Sequence, residues 1–332
     1  MDYFFDNMEY SRSSYASSQT LNGIWFKPLV GYSVDSIHSL YGGFDVLKIP
    51  GTSAATIEKT GLTFDLTLFY EYKTTKTLFR AGAFPREEAL ANYSDFFFTD
   101  SVRNFKPLVR GLFWQVGNKD KFFNAWMDWT GYPSDSVRES FFLGLSGKIA
   151  YNVFFVDFQS CLFHYANTSD HDFKGVSENF QIQSSAGVEI TAGENFNALI
   201  AAGVLAGYER DRAQDKKPYL PLGFTACVQA EYMGIGTKNM FYAGDPRMKY
   251  YNRYRNGLYW GTPFLRDPAY LKNSWYARLI DSKFATARLD LNLHFSEKNV
   301  FFEQLFTVIV SFDNFTNRKQ TKRVFPWLKI FQ

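Results

Sequence analysis

Apolar and polar residues alternate along most of this chain with period two. From Leu62 to Lys73, Leu62, Phe64, Leu66, Leu68, Tyr70 and Tyr72 share one parity. Thr63, Asp65, Thr67, Glu71 and Lys73 share the other, with Phe69 as the one large apolar residue among them. A strand presents successive side chains to opposite faces, so this segment has one oily face and one wet face. The pattern recurs at Phe180–Ile190, Leu222–Tyr232, Ala285–Ser296 and Phe302–Asp313. Shorter versions cover Phe123–Thr130, Phe141–Lys148 and Phe154–Leu162. Strands of about 10 residues suit a tilted membrane crossing and exceed the usual soluble length of about 5 or 6.

The links between these segments alternate in length. Short ones are expected at 34–38, 73–76, 117–121, 151–152, 192–195, 234–239 and 297–299. Longer ones are expected at 49–60, 85–107, 131–138, 167–178, 211–218 and 244–279. Short turns at one end and long loops at the other are how transmembrane β-barrels are arranged. The expectation is therefore an all-β fold, an antiparallel up-and-down barrel, forming one domain over residues 1–332 with long loops at 85–107 and 244–279. Fourteen strands in seven hairpins leave both termini outside the cell. Adding Phe4–Tyr10 and Arg323–Phe331 gives sixteen and returns both termini to the periplasmic side. Fourteen is the alternative, with twelve behind it. A sandwich of two sheets packed oily face to oily face would explain the alternation alone, and would dissolve without detergent.

Composition favours the barrel. Apolar residues are an ordinary 46%, yet 19% of the chain is aromatic, with 36 Phe and 21 Tyr, more rings than a soluble core needs. Aromatic girdles at two membrane interfaces use such rings. No run approaches the length of a membrane helix. A net charge of +3 gives no footprint for nucleic acid as a partner. Cys161 and Cys227 imply no disulfide framework. Met1 is followed at once by Asp2 and Tyr3, with no signal-peptide pattern, so the sequence reads as a mature chain with an added start Met.

With alternation, loop rhythm and aromatic content together, the chain resembles the porin-like outer-membrane β-barrels of Gram-negative bacteria over nearly its whole length. Two stretches are similar to a family of the Bacteroides group: "DSVRNFKPLVRGLFWQVGNKDKFFNAWMDWTGYP" and "AGDPRMKYYNRYRNGLYWGTPFLRDP". The resemblance implies a bacterial outer-membrane location with lipid and lipopolysaccharide as neighbours. Its C-terminus departs from the pattern, because Phe331 is penultimate and Gln332 is last.

Candidate chemistry follows from the inward parity. It collects the acids Asp45, Asp65, Glu71, Asp128, Asp157, Glu189, Glu231, Asp290 and Glu303, and the bases Lys27, Lys73, Arg80, Lys148 and Arg288. Rings of charge in a pore bias ion passage; the plainer reading is that these groups satisfy one another and water. The stretch 244–279 adds Arg247, Lys249, Arg253, Arg255, Tyr259, Trp260 and Arg266, candidates for a constriction, a packed lid, a binding platform or a contact with lipopolysaccharide phosphates. In the loop 85–107, Arg86, Glu87 and Glu88 open a short helix, and Phe96, Phe97 and Phe98 form an apolar knot that belongs inside the mouth. Enzyme motifs are weak: "GLSGK" at Gly144 lacks the second Gly of G-x-S-x-G. His164 and His171, with Asp170 and Asp172, lack metal-ligand spacing. His294 and Ser296 lie on the lumen parity rather than on the outer wall.

The function expected from the sequence is passive diffusion of small hydrophilic solutes through a porin-like channel. The alternative is a non-conducting barrel whose loops bind a glycan or a partner protein as a subunit of a larger surface complex. A hydrolase comes a distant third, and the two leading readings include no enzymatic activity, cofactor or metal.

Overall fold

The computed structural model describes residues 1–50, 62–134, 137–166, 175–193, 195–282 and 284–311. Its strands are β1 (Asp2–Glu9), β2 (Gln19–Phe26), β3 (Leu29–Ser33), β4 (His38–Lys48), β5 (Leu62–Lys73) and β6 (Thr77–Pro85). Then come β7 (Leu108–Gly117), β8 (Lys121–Gly131), β9 (Ser140–Tyr151), β10 (Phe154–Tyr165), β11 (Ser177–Ala192) and β12 (Phe196–Asp211). The last are β13 (Leu222–Tyr232), β14 (Ile235–Gly244), β15 (Ala269–Asp281), β16 (Ala285–Ser296) and β17 (Asn299–Val310). Each pairs antiparallel with its neighbour, and β1 pairs with β17, so the sheet closes. β2 and β3 both pair with β4, on either side of a break at Lys27–Pro28 where proline cannot donate to the ladder. They share one place in the wall, and the result is a closed sixteen-stranded antiparallel barrel.

Both termini of the paired region lie at the short-turn end, where the Met1 amino group donates to the Val310 carbonyl at 2.7 Å. The route to sixteen differs from the one expected. Residues 244–279 are not one loop: β15 begins at Ala269, and the irregular segment is 245–268. The inward side chains of β15 are Tyr270, Lys272, Ser274, Tyr276 and Arg278, and Asn273 stands on its outward face. Those residues blurred the alternation that marks the other strands. The turn at Glu297–Lys298 consequently sits at the long-loop end, and both of its residues have positive φ. The strand expected at Arg323–Phe331 lies outside the described residues, and closure comes from β17 against β1.

The oil faces outward. Phe64 is 67% exposed and Leu66 58%, whereas Thr67, between them and Leu68, is 3% exposed. Leu143, Leu145, Val156, Ile200, Val204, Phe224 and Trp275 continue the apolar outer surface. The inside is packed chiefly by two loops. Between β6 and β7, α1 (Arg86–Leu90) and α2 (Asp100–Phe105) flank Phe96, Phe97 and Phe98, each about 1% exposed. Between β14 and β15, the segment 245–268 adds Leu258, Tyr259, Phe264 and Leu265, all buried. The loops meet where the Thr99 amide donates to the Trp260 carbonyl and the Thr262 amide to the Asp95 carbonyl.

Candidate functional site

The inward charges are largely paired, within a strand, between neighbours or over one intervening strand. Arg80 holds Glu71 at 2.7 Å and Glu88 of α1 at the same distance. Asp65 pairs with Arg110, and Glu189 with Lys148 at 2.6 Å. Glu231 accepts from Arg278 and from the Tyr276 hydroxyl. Arg288 chelates Asp290. Asp157 is half-buried, and Lys73 is exposed at the short-turn end. Glu303 meets His294 Nε2 at 3.0 Å and Asn292 at 2.8 Å, and the Tyr270 hydroxyl takes His294 Nδ1 at 2.7 Å. With both ring nitrogens engaged, His294 is held as a link of the wall.

The loop candidates also find partners. Arg247 is buried and donates to the carbonyls of Leu205, Ala206 and Pro221 and to the Gln181 side chain. Lys249 pairs with Asp215 at 2.9 Å and Arg253 with Asp211 at 3.8 Å. The Tyr259 hydroxyl donates to Glu209, and Trp260 packs 4.6 Å from Phe142 with Arg86 over its ring. Arg266 reaches Asn252 and covers Tyr15 and Tyr251, while Arg255 lines a cavity. These contacts make 245–268 a lid clasped to the upper ends of β11 to β13.

Among the described residues two cavities inside the barrel stand out. One of about 470 Å³ is bordered by Asp2, Lys27 and Arg288 toward the short-turn end. The other, of about 540 Å³, is bordered by Tyr10, Ser17 and Tyr251 toward the loops. Asp95, Asp100 and Lys272 line both. The Lys272 ammonium sits 2.7 Å from Asp95 and 3.6 Å from Asp100, with Arg103 3.7 Å from Asp95. Burial alone would raise the Asp95 carboxyl, but Lys272, Lys238 and Arg103 outweigh it and hold the group well below the usual carboxylate range. This clasp fixes the β6–β7 loop across the lumen.

The outer wall carries a site that the sequence reading missed. On β1 the outward residues are Tyr3 and Phe5, then Asn7 and Glu9. On β2 they are Thr20 and Asn22, then Ile24 and Phe26. Register sets Asn7 beside Thr20 on one side and Gln304 of β17 on the other. The Thr20 hydroxyl donates to Asn7 Oδ1 at 2.8 Å, and Asn7 Nδ2 donates to Glu9 at 3.1 Å. Asn22 Oδ1 is buried and has no partner among the described residues. Behind the patch, Gly23 lies under the Phe4 ring, where an added Cβ would stand 2.5 Å from ring carbons. Polar groups on a lipid-facing wall are costly unless satisfied or used. Here five stand in three successive outward rows toward the loop end, on the side of the outer interface. The available signal was the polar N-terminal strand itself, whose outward parity breaks from oil to amides and a carboxylate.

A family model described as "Lipid A 3'-O-deacylase-type" matches residues 2–318. No protein of curated function matches the chain. Among solved structures, OmpT of Vibrio cholerae with its loop L8 deleted is similar with TM-score 0.53 and 12% identity, over 93% of this chain and 95% of that one. OprB of Pseudomonas putida gives 0.51 and 11%, over 94% and 93%. OmpF of Salmonella typhi gives 0.50 and 11%, over 92% and 95%. At these identities the structures share the fold alone. The chain belongs to the lipid A 3'-O-deacylase-type family and is a protein of the bacterial outer membrane. Membership overturns the expectation of a barrel without enzymatic activity, because the family is named for an enzyme.

Proposed function

We propose, from membership in the lipid A 3'-O-deacylase-type family, that this barrel hydrolyses an acyl ester of a lipid A-type glycolipid in the outer leaflet. The family match carries the reading. The outward patch of Asn7, Glu9, Thr20, Asn22 and Gln304 supplies a place for it, since an ester linking sugar to acyl chain lies at the outer interface and approaches from the side. In this reading Glu9 takes a proton from water, and the water oxygen attacks the acyl carbonyl. Side-chain amides of Asn22 and Gln304 donate to the oxyanion, and Asn7 holds Glu9 and Thr20 in place. The carbon–oxygen bond to the sugar then breaks, the sugar oxygen takes the proton, and a fatty acid leaves. Replacing Glu9 by Gln in the folded protein should slow release at least about a hundredfold, the scale of lost general base catalysis. An unchanged rate would remove Glu9 from the reaction.

A second reading is favoured by the two cavities sharing Asp95, Asp100 and Lys272. It is slow passage of small hydrophilic solutes past that clasp. Planar-bilayer recording tests it: steady conductance steps support passage, and their absence from folded protein opposes it.

A further inference from the structure

Across the barrel from the β1–β2 patch, the outer wall carries a second break in its apolar surface. Trp129 of β8, Phe141 of β9, His164 of β10, Glu178 of β11 and Arg210 of β12 stand side by side in one row, each registered with the next. Trp129 stacks on Phe141 at 5.3 Å, and Phe141 on His164 at 4.8 Å. The row lies one step below the strand ends at the loop side. Directly beneath it on the same face are Leu162, Phe180 and Tyr208. An interfacial aromatic girdle thus passes into a charged arc at constant depth.

On this outward face Arg210 and Arg212 stand beside Glu178. Arg212 forms the ion pair with Glu178 at 2.6 Å. Among the described residues Arg210 has no ion pair, and its Nε is buried without a hydrogen-bond partner. A guanidinium without an ion pair among the described residues, at the loop end of an apolar wall, matches an amphiphile with phosphate above acyl chains.

We propose that the outer rim of β10–β12 binds the phosphate of an outer-leaflet glycolipid, with Arg210 as its primary donor and Arg212 in support. The stacked Trp129 and Phe141 continue the aromatic row beside it. The site lies on the opposite wall from the patch assigned to hydrolysis, so it stands whether or not that assignment does.

Native mass spectrometry of the folded barrel, released from micelles, tests this with diphosphoryl lipid A and its dephosphorylated form as probes. The wild type should retain the phosphorylated lipid with at least about tenfold higher affinity, the scale of one charge-assisted pair. Arg210→Gln/Arg212→Gln should abolish that preference, and Glu178→Gln should keep or increase it. The single Arg212→Gln change, at an exposed position, serves if the double variant does not fold. Equal retention of the two lipids by the wild type would overturn the proposal without any variant, as would an undiminished preference in a folded double variant.

Discussion

Replacing Lys272 by Met should release the β6–β7 loop from the wall. Lys272 is buried on β15 and bridges Asp95 at 2.7 Å and Asp100 at 3.6 Å. Methionine fills a similar volume, so the change is mainly in charge. Asp95 would stay buried with Arg103 at 3.7 Å and the more distant Lys238 to compensate. Breaking a buried pair from one side costs about 3 to 5 kcal/mol, and the residual Arg103 contact argues for about 3, at the lower end of that range. At about 1.4 kcal/mol per tenfold, backbone amides from 93 to 103 should exchange with solvent roughly a hundredfold faster. Hydrogen exchange of the folded protein reads this directly. Lys272→Met/Asp95→Leu, which removes both charges, should recover most of the protection. Unchanged exchange in the single variant, or a double variant as open as the single, would refute the assignment of the clasp.

Acidification should act on the same loop. A carboxyl held low in the folded protein adds stability that is present above its unfolded pKa of about 4 and lost as pH falls below it. Protection of residues 93–103 should therefore drop on acidification, before the strands exchange. On the outer wall, Leu66→Arg should impair folding into bilayers by about 2 to 4 kcal/mol if it sits at mid-membrane, read by urea titration in vesicles. Leu66→Met at the same site should fold normally. Gly144→Ala would place a Cβ about 2.1 Å from the Trp126 ring, so it should destabilise the β8–β9 wall by about 1 to 3 kcal/mol in the same titration.

Most of the barrel was legible because lipid and lumen impose opposite demands on alternate residues. Leu62–Lys73 and Ala285–Ser296 read correctly from period alone. β15 did not, because Tyr270 and Lys272 turn inward against the loops, Tyr276 turns inward to Glu231, and Asn273 turns outward to meet Asn239. Many inward acids were readable from parity, but Asp6 of β1 and Glu209 and Asp211 of β12 were not read, and the partners come from how strands lie side by side, as with Arg278 and Glu231, which a linear sequence does not show. The burial of Phe96–Phe98 was readable, since three adjacent rings have no place in water. The outward patch was hidden by the rule that located the strands: Asn7 and Glu9 read as a weak strand when they mark where the wall stops being oily. His164 was read as part of a loop because the alternation was ended at Leu162, whereas β10 runs to Tyr165 and turns it outward, and its row with Glu178 and Arg210 needs three strands in register.

The most direct test of the account is the intact mass of a lipid A preparation incubated with the purified, folded barrel in mixed micelles. The account predicts loss of one ester-linked acyl chain with appearance of the free fatty acid, and no such loss with Glu9→Gln. A lipid whose mass is unchanged by folded wild-type protein would contradict the deacylase reading. Loss that proceeds equally with Glu9→Gln would move the chemistry away from the β1–β2 wall.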